Sequence, residues 1–550
     1  MKGIGVSPGI AIGRAWVLRS KKERAGGVLL ADDKAVEREI ELYRGAVEQA
    51  ALSLEGMLEQ AGAAAEILGV QLELLYDPLW ESAVIDRIRR RSTARDAVLG
   101  ATEQVMQLFL EMEDAYMRER ATDIRDMGNR LVRVLDGEAL AVEPLVIPNA
   151  GPGEPDWVVV AEELTPSDTV GLNTWVVGFV TQAGGATSHA AIVARLRGLP
   201  AITGVTGILG SVVNGDWLVL DGETGIVLVN PSLVEMEIYT AKQQAFANRL
   251  LLLAGLKDRE AVTPDGVRIE LLANIAGAAD MEAALAQGAE GVGLLRTELL
   301  FMDREALPTE EEQFQFYKNV LLRAGGRPVT IRTLDIGGDK PLPYLGLAPE
   351  ANPFLGYRAI RICLDRPALF LTQLRAILRA SVFGKCRIMF PMIGGVEELR
   401  QAKAFVVVAQ EDLRAQGVAF DVSVPVGVMI EIPSAALTAD LLAKEADFFS
   451  IGTNDLTQYV LAVDRMNEQI AALYDPYHPA VLRLIKEVIE QGHRHNVPVG
   501  MCGELAGDPR ATELLLGMGL REFSMSAGSI PLVKEVILGS KGLSGSGLKQ

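Results

Sequence analysis

Only four histidines occur in the 550 residues, and one of them, His189, stands in a string that can do chemistry: Gly184-Gly185-Ala186-Thr187-Ser188-His189-Ala190-Ala191. Small residues lead into a helical pattern, Ala190–Arg195. A helix start leaves backbone N–H groups without intrahelical partners, so it favours an anion. Thr187 and Ser188 add hydroxyl donors, and Arg195 lies close enough in sequence to screen negative charge. A phosphate carried on this imidazole would be stabilised. The other three have no such setting. His478 sits in Asp475-Pro476-Tyr477-His478-Pro479 and is given no role, and His493 and His495, near a helix end, are expected to be exposed.

A second set of residues is spread through the C-terminal half at the ends of short apolar runs: Arg296-Thr297-Glu298, Arg332 carried within its run with Asp335 at the end, Pro391-Met392, Glu431, Asn454-Asp455 and Cys502-Gly503-Glu504. Arg296, Arg332, Arg358 and Arg465 can grip phosphate and carboxylate oxygens bidentately. Glu431 and Asp455 are hard carboxylates of the kind that hold Mg²⁺ while leaving it waters and substrate oxygens. Asn454 can add a hydrogen bond to a phosphate. Cys502 ends an apolar run where a thiol can serve as an acid, whereas Cys363 and Cys386 read as small core residues.

These residues need elements to hold them. Residues 1–20 read as short strands, and strand signals return at Trp157–Val160, Val176–Val180 and Trp217–Leu220. Between them, apolar residues recur at helical spacing from Val36 through Met57, break at Asp77-Pro78, and run again from Val105 to Leu135. The expected organisation is an α/β domain over 1–20 and 145–231, interrupted by an all-helical insert over 21–144. A helical linker over 232–260 follows. The rest, 261–540, carries eight apolar runs: Ile269–Ile275, Gly291–Leu295, Val329–Leu334, Arg387–Phe390, Val426–Ile430, Phe448–Gly452, Val497–Met501 and Glu522–Met525. Helical patterns lie between them, for example Glu310–Leu322, Val396–Gln416 and Ala480–Gln491, which predicts a (β/α)₈ barrel of TIM type. Barrel enzymes build their sites at the C-terminal ends of the strands, where the second set stands. The tail from Gly539, and 541–550 above all, is expected to be disordered.

Bulk composition narrows the partners. A net charge of −19 argues against nucleic acid. No apolar run approaches the roughly 20 residues that span a bilayer, so no membrane insertion is expected. Three widely spaced cysteines make neither a disulfide framework nor a metal pattern, and a reducing cytoplasm is the simple expectation.

The string Gly-Gly-x-Thr-Ser-His-Ala-Ala-Ile-Val-Ala-Arg resembles the phosphohistidine signature of the phosphoenolpyruvate-utilising family. The strings around Arg296, Arg332, Arg358, Asn454-Asp455 and Cys502 are similar to that family as well. The order of α/β domain, helical insert, linker and barrel resembles its enzyme I branch over essentially the whole chain. The dikinase and synthase branches carry a large N-terminal nucleotide-binding domain, for which residues 1–20 leave no room. The resemblance implies that phosphate passes from phosphoenolpyruvate to His189, with Mg²⁺ as cofactor and Cys502 protonating the enolate to give pyruvate. It further implies an HPr-type phosphocarrier docked on the helical insert and a homodimer formed by the barrel. Two positions depart from the pattern: Ala186 replaces an arginine before Thr-Ser-His, and Val70 stands where a histidine is common. A non-catalytic regulator would have lost the barrel residues, and a lyase or aldolase using the barrel alone would leave the His189 string unexplained.

Overall fold

Short runs rich in Ile, Val, Ala and Gly open the chain as two strands, β1 (Ile4–Ser7) and β2 (Ile10–Leu18), and every second residue of β2 is buried. The computed structural model describes residues 1–18, 30–58, 69, 72–110, 115–137, 156–164, 175–185, 188–302, 304, 306–337, 342–348, 350–465, 467 and 469–540. They form two units, Met1–Arg249 and Leu250–Gln550.

In the first unit, β3 (Trp157–Ala161), β4 (Val176–Thr181), β5 (Ala201–Thr203), β6 (Trp217–Asp221) and β7 (Ile226–Val229) complete a seven-stranded sheet of order β1-β5-β4-β3-β2-β6-β7. β2 through β5 run parallel, and β1, β6 and β7 pair antiparallel at the two edges. Two of these strands, β5 and β7, were not anticipated. With three and four residues they are too short to show a period of two.

Between β2 and β3 in the chain the described residues hold four helices, α1 (Asp33–Leu58), α2 (Pro78–Arg89), α3 (Ala94–Leu110) and α4 (Ala115–Leu135). The expected break at Asp77-Pro78 is a helix start. The Asp77 carboxylate accepts from the Leu79 and Trp80 N–H groups at 2.7 and 3.2 Å, and Pro78 takes the first helical position. The single run expected from Val105 to Leu135 is two helices in the described residues. Tyr43, Leu54, Trp80, Val84, Ile88, Val98, Ile124 and Leu131 form their common core. Val70 lies outside the described residues. Helix α5 (His189–Arg197) ends on Gly198 in the left-handed region, and α6 (Leu233–Gly255) occupies the linker stretch.

The second unit is a closed parallel barrel. Its strands are β8 (Glu270–Ile275), β9 (Val292–Leu295), β10 (Val329–Arg332), β11 (Cys386–Phe390), β12 (Val426–Ile430), β13 (Phe449–Ile451), β14 (Val499–Met501) and β15 (Glu522–Met525). All eight expected runs are strands. Two differ by two residues at one end: β14 begins at Val499 rather than Val497, and β10 ends at Arg332 rather than Leu334, so Asp335 stands in the loop beyond it. The three helical patterns appear as Glu310–Ala324, Val396–Ala415 and Pro479–His495. Cys363 and Cys386 are buried in the core as expected, His493 is exposed, His495 is half-buried, and the His478 imidazole caps the last of those helices by accepting from the Ala480 N–H. The expected tail begins later than Gly539, because Gly539 closes a helix and the Ser540 hydroxyl donates to the Ile537 carbonyl at 2.9 Å. Residues 541–550 lie outside the described ones. Among the described residues no helix is long and apolar enough to cross a membrane.

The barrel wall is tightly filled. Phe370 is fully buried and packs its ring against Phe390 at 5.8 Å and Phe405 at 5.5 Å. Phe370→Ala should cost about 3–5 kcal/mol of barrel stability. Urea denaturation checks this, and an unchanged midpoint would show that the ring does not close the core.

Candidate active site

A row of alternating charges crosses the mouth of the barrel. Arg332, the last residue of β10, pairs one guanidinium nitrogen with Glu298, in the turn after β9, and the other with Asp335 at 2.9 Å. The second oxygen of Asp335 receives Arg358 at 2.9 Å, Arg358 reaches Asp455 at 3.4 Å, and Asp455 lies 3.8 Å from Arg465. All but Arg465 are buried. Burial opposes the charge on Arg332, but Glu298, Asp335 and Glu431 more than offset it, and its pKa is raised. Arg358 is raised in the same way, against burial, by Asp335 and Asp455. The buried Nε groups of both arginines have no hydrogen-bond partner among the described residues. They remain as donors for an anion.

Local geometry brings Arg358 to this place. Gly337 has φ +106° and approaches so closely that a Cβ there would lie 2.6 Å from the Arg358 Cβ. The guanidinium stacks over Phe354 at 5.6 Å and donates to the Tyr459 hydroxyl at 3.3 Å. That hydroxyl donates in turn to the Phe354 carbonyl at 2.5 Å.

Glu431 follows β12, fully buried, and accepts from the Met392 N–H at 2.7 Å. Burial pushes its carboxyl up to about 8. Asp455 and Asp335 push the same way, while Arg332 and Arg358 pull it down. Gly452, at the end of β13, leaves room beside it, since a Cβ there would stand 2.9 Å from the Glu431 Oε2.

Cys502 follows β14 and is 4 % exposed. Burial lifts its thiol to about 11, with Ser450, Arg332 and Arg296 pulling down and Glu431 pushing up. Arg296 is exposed and lines a cavity of about 870 Å³ with Cys502, Asn274, Tyr477 and Arg510. Asn454 is exchanged between loops. Its Nδ2 donates to the Glu504 carboxylate at 3.1 Å, and its Oδ1 accepts the Glu504 N–H at 2.9 Å.

Arg296, Arg332, Glu431, Asn454, Asp455 and Cys502 stand at or just beyond strand ends, and Arg358 and Arg465 come from further along the segments that follow β10 and β13; Arg296 faces the cavity rather than the charge row. His189 belongs to the other unit, where it opens α5. Ser188 is the cap position, and its buried hydroxyl has no partner among the described residues. Arg195 anchors α5 by donating to the Val6 carbonyl at 3.0 Å. Ala186 and Thr187 lie outside the described residues. Sequence reasoning noted Glu298, Asp335 and Glu504 after their strands without assigning them, and missed Tyr459 and Asn274. A count of buried arginines against available carboxylates would have found Glu298 and Asp335.

Two substitutions probe this electrostatics. Asp335→Asn leaves two buried guanidinium groups short of a partner and should cost about 3–5 kcal/mol of stability, read by thermal unfolding. Glu431 has a folded pKa above its ordinary 4.5, so it costs the metal-free protein nothing at low pH and progressively more as pH rises from 4.5 through about 8. Glu431→Gln should therefore gain on the unsubstituted protein across that window in urea titrations. An equal difference at both ends would remove Glu431 as the source.

Three family models match the chain: the PEP-binding domain of PEP-utilising enzymes over residues 252–541, their N-terminal domain over 2–120 and their mobile domain over 153–225. A phosphoenolpyruvate-protein phosphotransferase of Bacillus sp. is 47% identical over 96% of this chain and 91% of its own length. Those of Haemophilus influenzae and Geobacillus stearothermophilus are each 48% identical, over 98% and 96% of this chain and 93% and 91% of their own lengths. With such identity along nearly the whole of both sequences, the chain belongs to the phosphoenolpyruvate-protein phosphotransferases, a family of PEP-utilising enzymes.

Proposed function

We propose that this chain takes the phosphoryl group of phosphoenolpyruvate onto His189, releases pyruvate, and passes the phosphate to a histidine of an HPr-type carrier, starting a sugar phosphotransferase relay. The observation that carries this reading is the row of buried arginines at the mouth of the barrel. Arg332 and Arg358 hold their charge in the absence of substrate and keep a buried Nε donor in reserve.

Substrate phosphate and carboxylate would be gripped by Arg296, Arg332, Arg358 and Arg465, with the Asn454 amide adding a hydrogen bond. The His189 imidazole attacks phosphorus in line. The N–P bond forms as the bond to the enol oxygen breaks, and the electron pair leaves on that oxygen. The arginines stabilise the enolate, which needs little reorganisation because they are already fixed. The Cys502 S–H bond then breaks as a C–H bond forms at the methylene carbon, and solvent returns the proton to the thiolate. Burial keeps this thiol protonated at neutral pH, and the enolate carbon is the stronger base.

Glu431 and Asp455 would hold Mg²⁺, which neutralises phosphate charge when bound. The donor set supports this, since two buried carboxylates raise each other's cost and Gly452 leaves space beside Glu431. We further place the enzyme in the cytoplasm, as a homodimer joined through the barrel, with the carrier on the helical insert. The His189 domain must meet both the barrel and the carrier, which requires a swivel about the segments near 145 and 232–258.

Incubation with ³²P-labelled phosphoenolpyruvate and Mg²⁺ should give an acid-labile label, absent from His189→Ala. A label that persists in that variant overturns the proposal. Cys502→Ala should slow pyruvate formation by about 10²–10⁴-fold, the usual contribution of a general acid. Adding HPr and its nitrogen-branch counterpart in parallel then shows which one receives the phosphate.

A further inference from the structure

The segment bearing Cys502 is tied down by a side chain from two strands away. Along the barrel the order is β14-β15-β8, and the ladder between β14 and β15 stops at Met501 and Phe523. The Cys502 carbonyl lies beyond it. Asn274 of β8 reaches past β15 and donates its Nδ2–H to that carbonyl at 2.9 Å. Ser524 of β15 donates its hydroxyl to the Asn274 Oδ1 at 2.6 Å, which fixes which way the amide faces. On the other side, the Cys502 N–H donates to the Ile451 carbonyl at 3.1 Å.

Space for this bridge is made by Gly293 of β9, where a Cβ would fall 2.4 Å from the Ser524 Oγ. Asn274 and Cys502 both line the cavity at the mouth. A polar bridge in that layer of a barrel needs a reason, because an apolar side chain would fill the same place without needing two partners.

We propose that Asn274, its amide oriented by Ser524, is a positioning residue for the acid: it fixes the Cys502 main chain and thereby the face from which the thiol delivers its proton to the enolate carbon. This rests on the reading of Cys502 as that acid. Asn274 touches no reacting atom and acts through the cysteine. A displacement of about 1 Å at a reacting group can cost about 100-fold in rate, so a tether at the carbonyl next to the thiol carries real leverage.

The test uses the full-length enzyme with Mg²⁺ and phosphoenolpyruvate. Asn274→Asp keeps the shape and turns the Nδ2 donor into an oxygen that faces the Cys502 carbonyl. It should lower kcat for pyruvate formation by about 10- to 100-fold while KM stays within about twofold, because no substrate contact is lost. It should also relax the face selectivity of proton delivery, read from the chirality of the methyl group made from stereospecifically deuterated substrate in tritiated water. In a Cys502→Ala background the same substitution should add nothing, since no thiol remains to be placed. Ser524→Ala, which frees the amide to turn, should give the same pattern more weakly, and it carries the test if Asn274→Asp fails to fold.

Full rate and full selectivity in both variants, alongside a slow Cys502→Ala, would overturn the positioning role and leave the acid in place. A loss that persists in the Cys502→Ala background, or one confined to KM, would overturn it too. A Cys502→Ala enzyme as fast and selective as the parent would remove the acid itself, and this proposal with it.

Discussion

Everything at the mouth of the barrel depends on one constraint: several positive charges must be kept buried before any anion arrives. Taking a guanidinium out of water costs several kcal/mol unless a carboxylate and further hydrogen bonds offset it. The row Glu298–Arg332–Asp335–Arg358–Asp455–Arg465 meets that demand by alternating sign. Asp335 is its centre, since each of its oxygens serves a different arginine. Because the arginines are held by one another's partners, their forks are already aimed when a substrate bearing phosphate and carboxylate enters. The contacts at the Asp455 end, at 3.4 and 3.8 Å, are longer than those around Asp335, so that is where the row can most readily trade a protein carboxylate for another ligand.

Strand and loop divide the work. The strands of a parallel barrel are buried on both faces and are read as continuous apolar runs, so they carry no chemistry themselves. They deliver it at their ends. The loops after β12 and β13 set Glu431 beside Asp455, and the sharp backbone at Gly337 and Met392 turns neighbouring groups inward. In the other unit His189 likewise stands at an element boundary, as the first residue of α5.

Much of this was legible in the sequence. Eight apolar runs separated by helical patterns are enough to predict the barrel; Arg332 stands within its run, Glu431 and Cys502 directly follow theirs, and Asp455 comes shortly after. The limits are equally physical. β5 and β7 are shorter than any period can reveal, and they exist because a neighbouring strand offers a ladder. The run read from Val105 to Leu135 falls on two helices among the described residues, Ala94–Leu110 and Ala115–Leu135, because one amphipathic period spans both of them in the sequence. Asn274 and Tyr459 could not be found from spacing. Their roles come from partners 228 and 101 positions away, which only the closed barrel brings near.

The place of the helical insert has a consequence for how the chain is assembled on the ribosome. β2 and β3 are adjacent parallel strands, paired from Arg14 with Trp157 to Leu18 with Ala161, so the helical insert between them serves as the crossover that a parallel pair requires. The other neighbour of β2, β6, begins only at Trp217. The first strands therefore leave the exit tunnel with no partner, and the helices, whose contacts are local, can form before any of the sheet does. Until Trp157 has been synthesised, β2 is an apolar edge waiting for its mate. The helices, charged and with a core of their own, are what the nascent chain has available to keep that edge in solution.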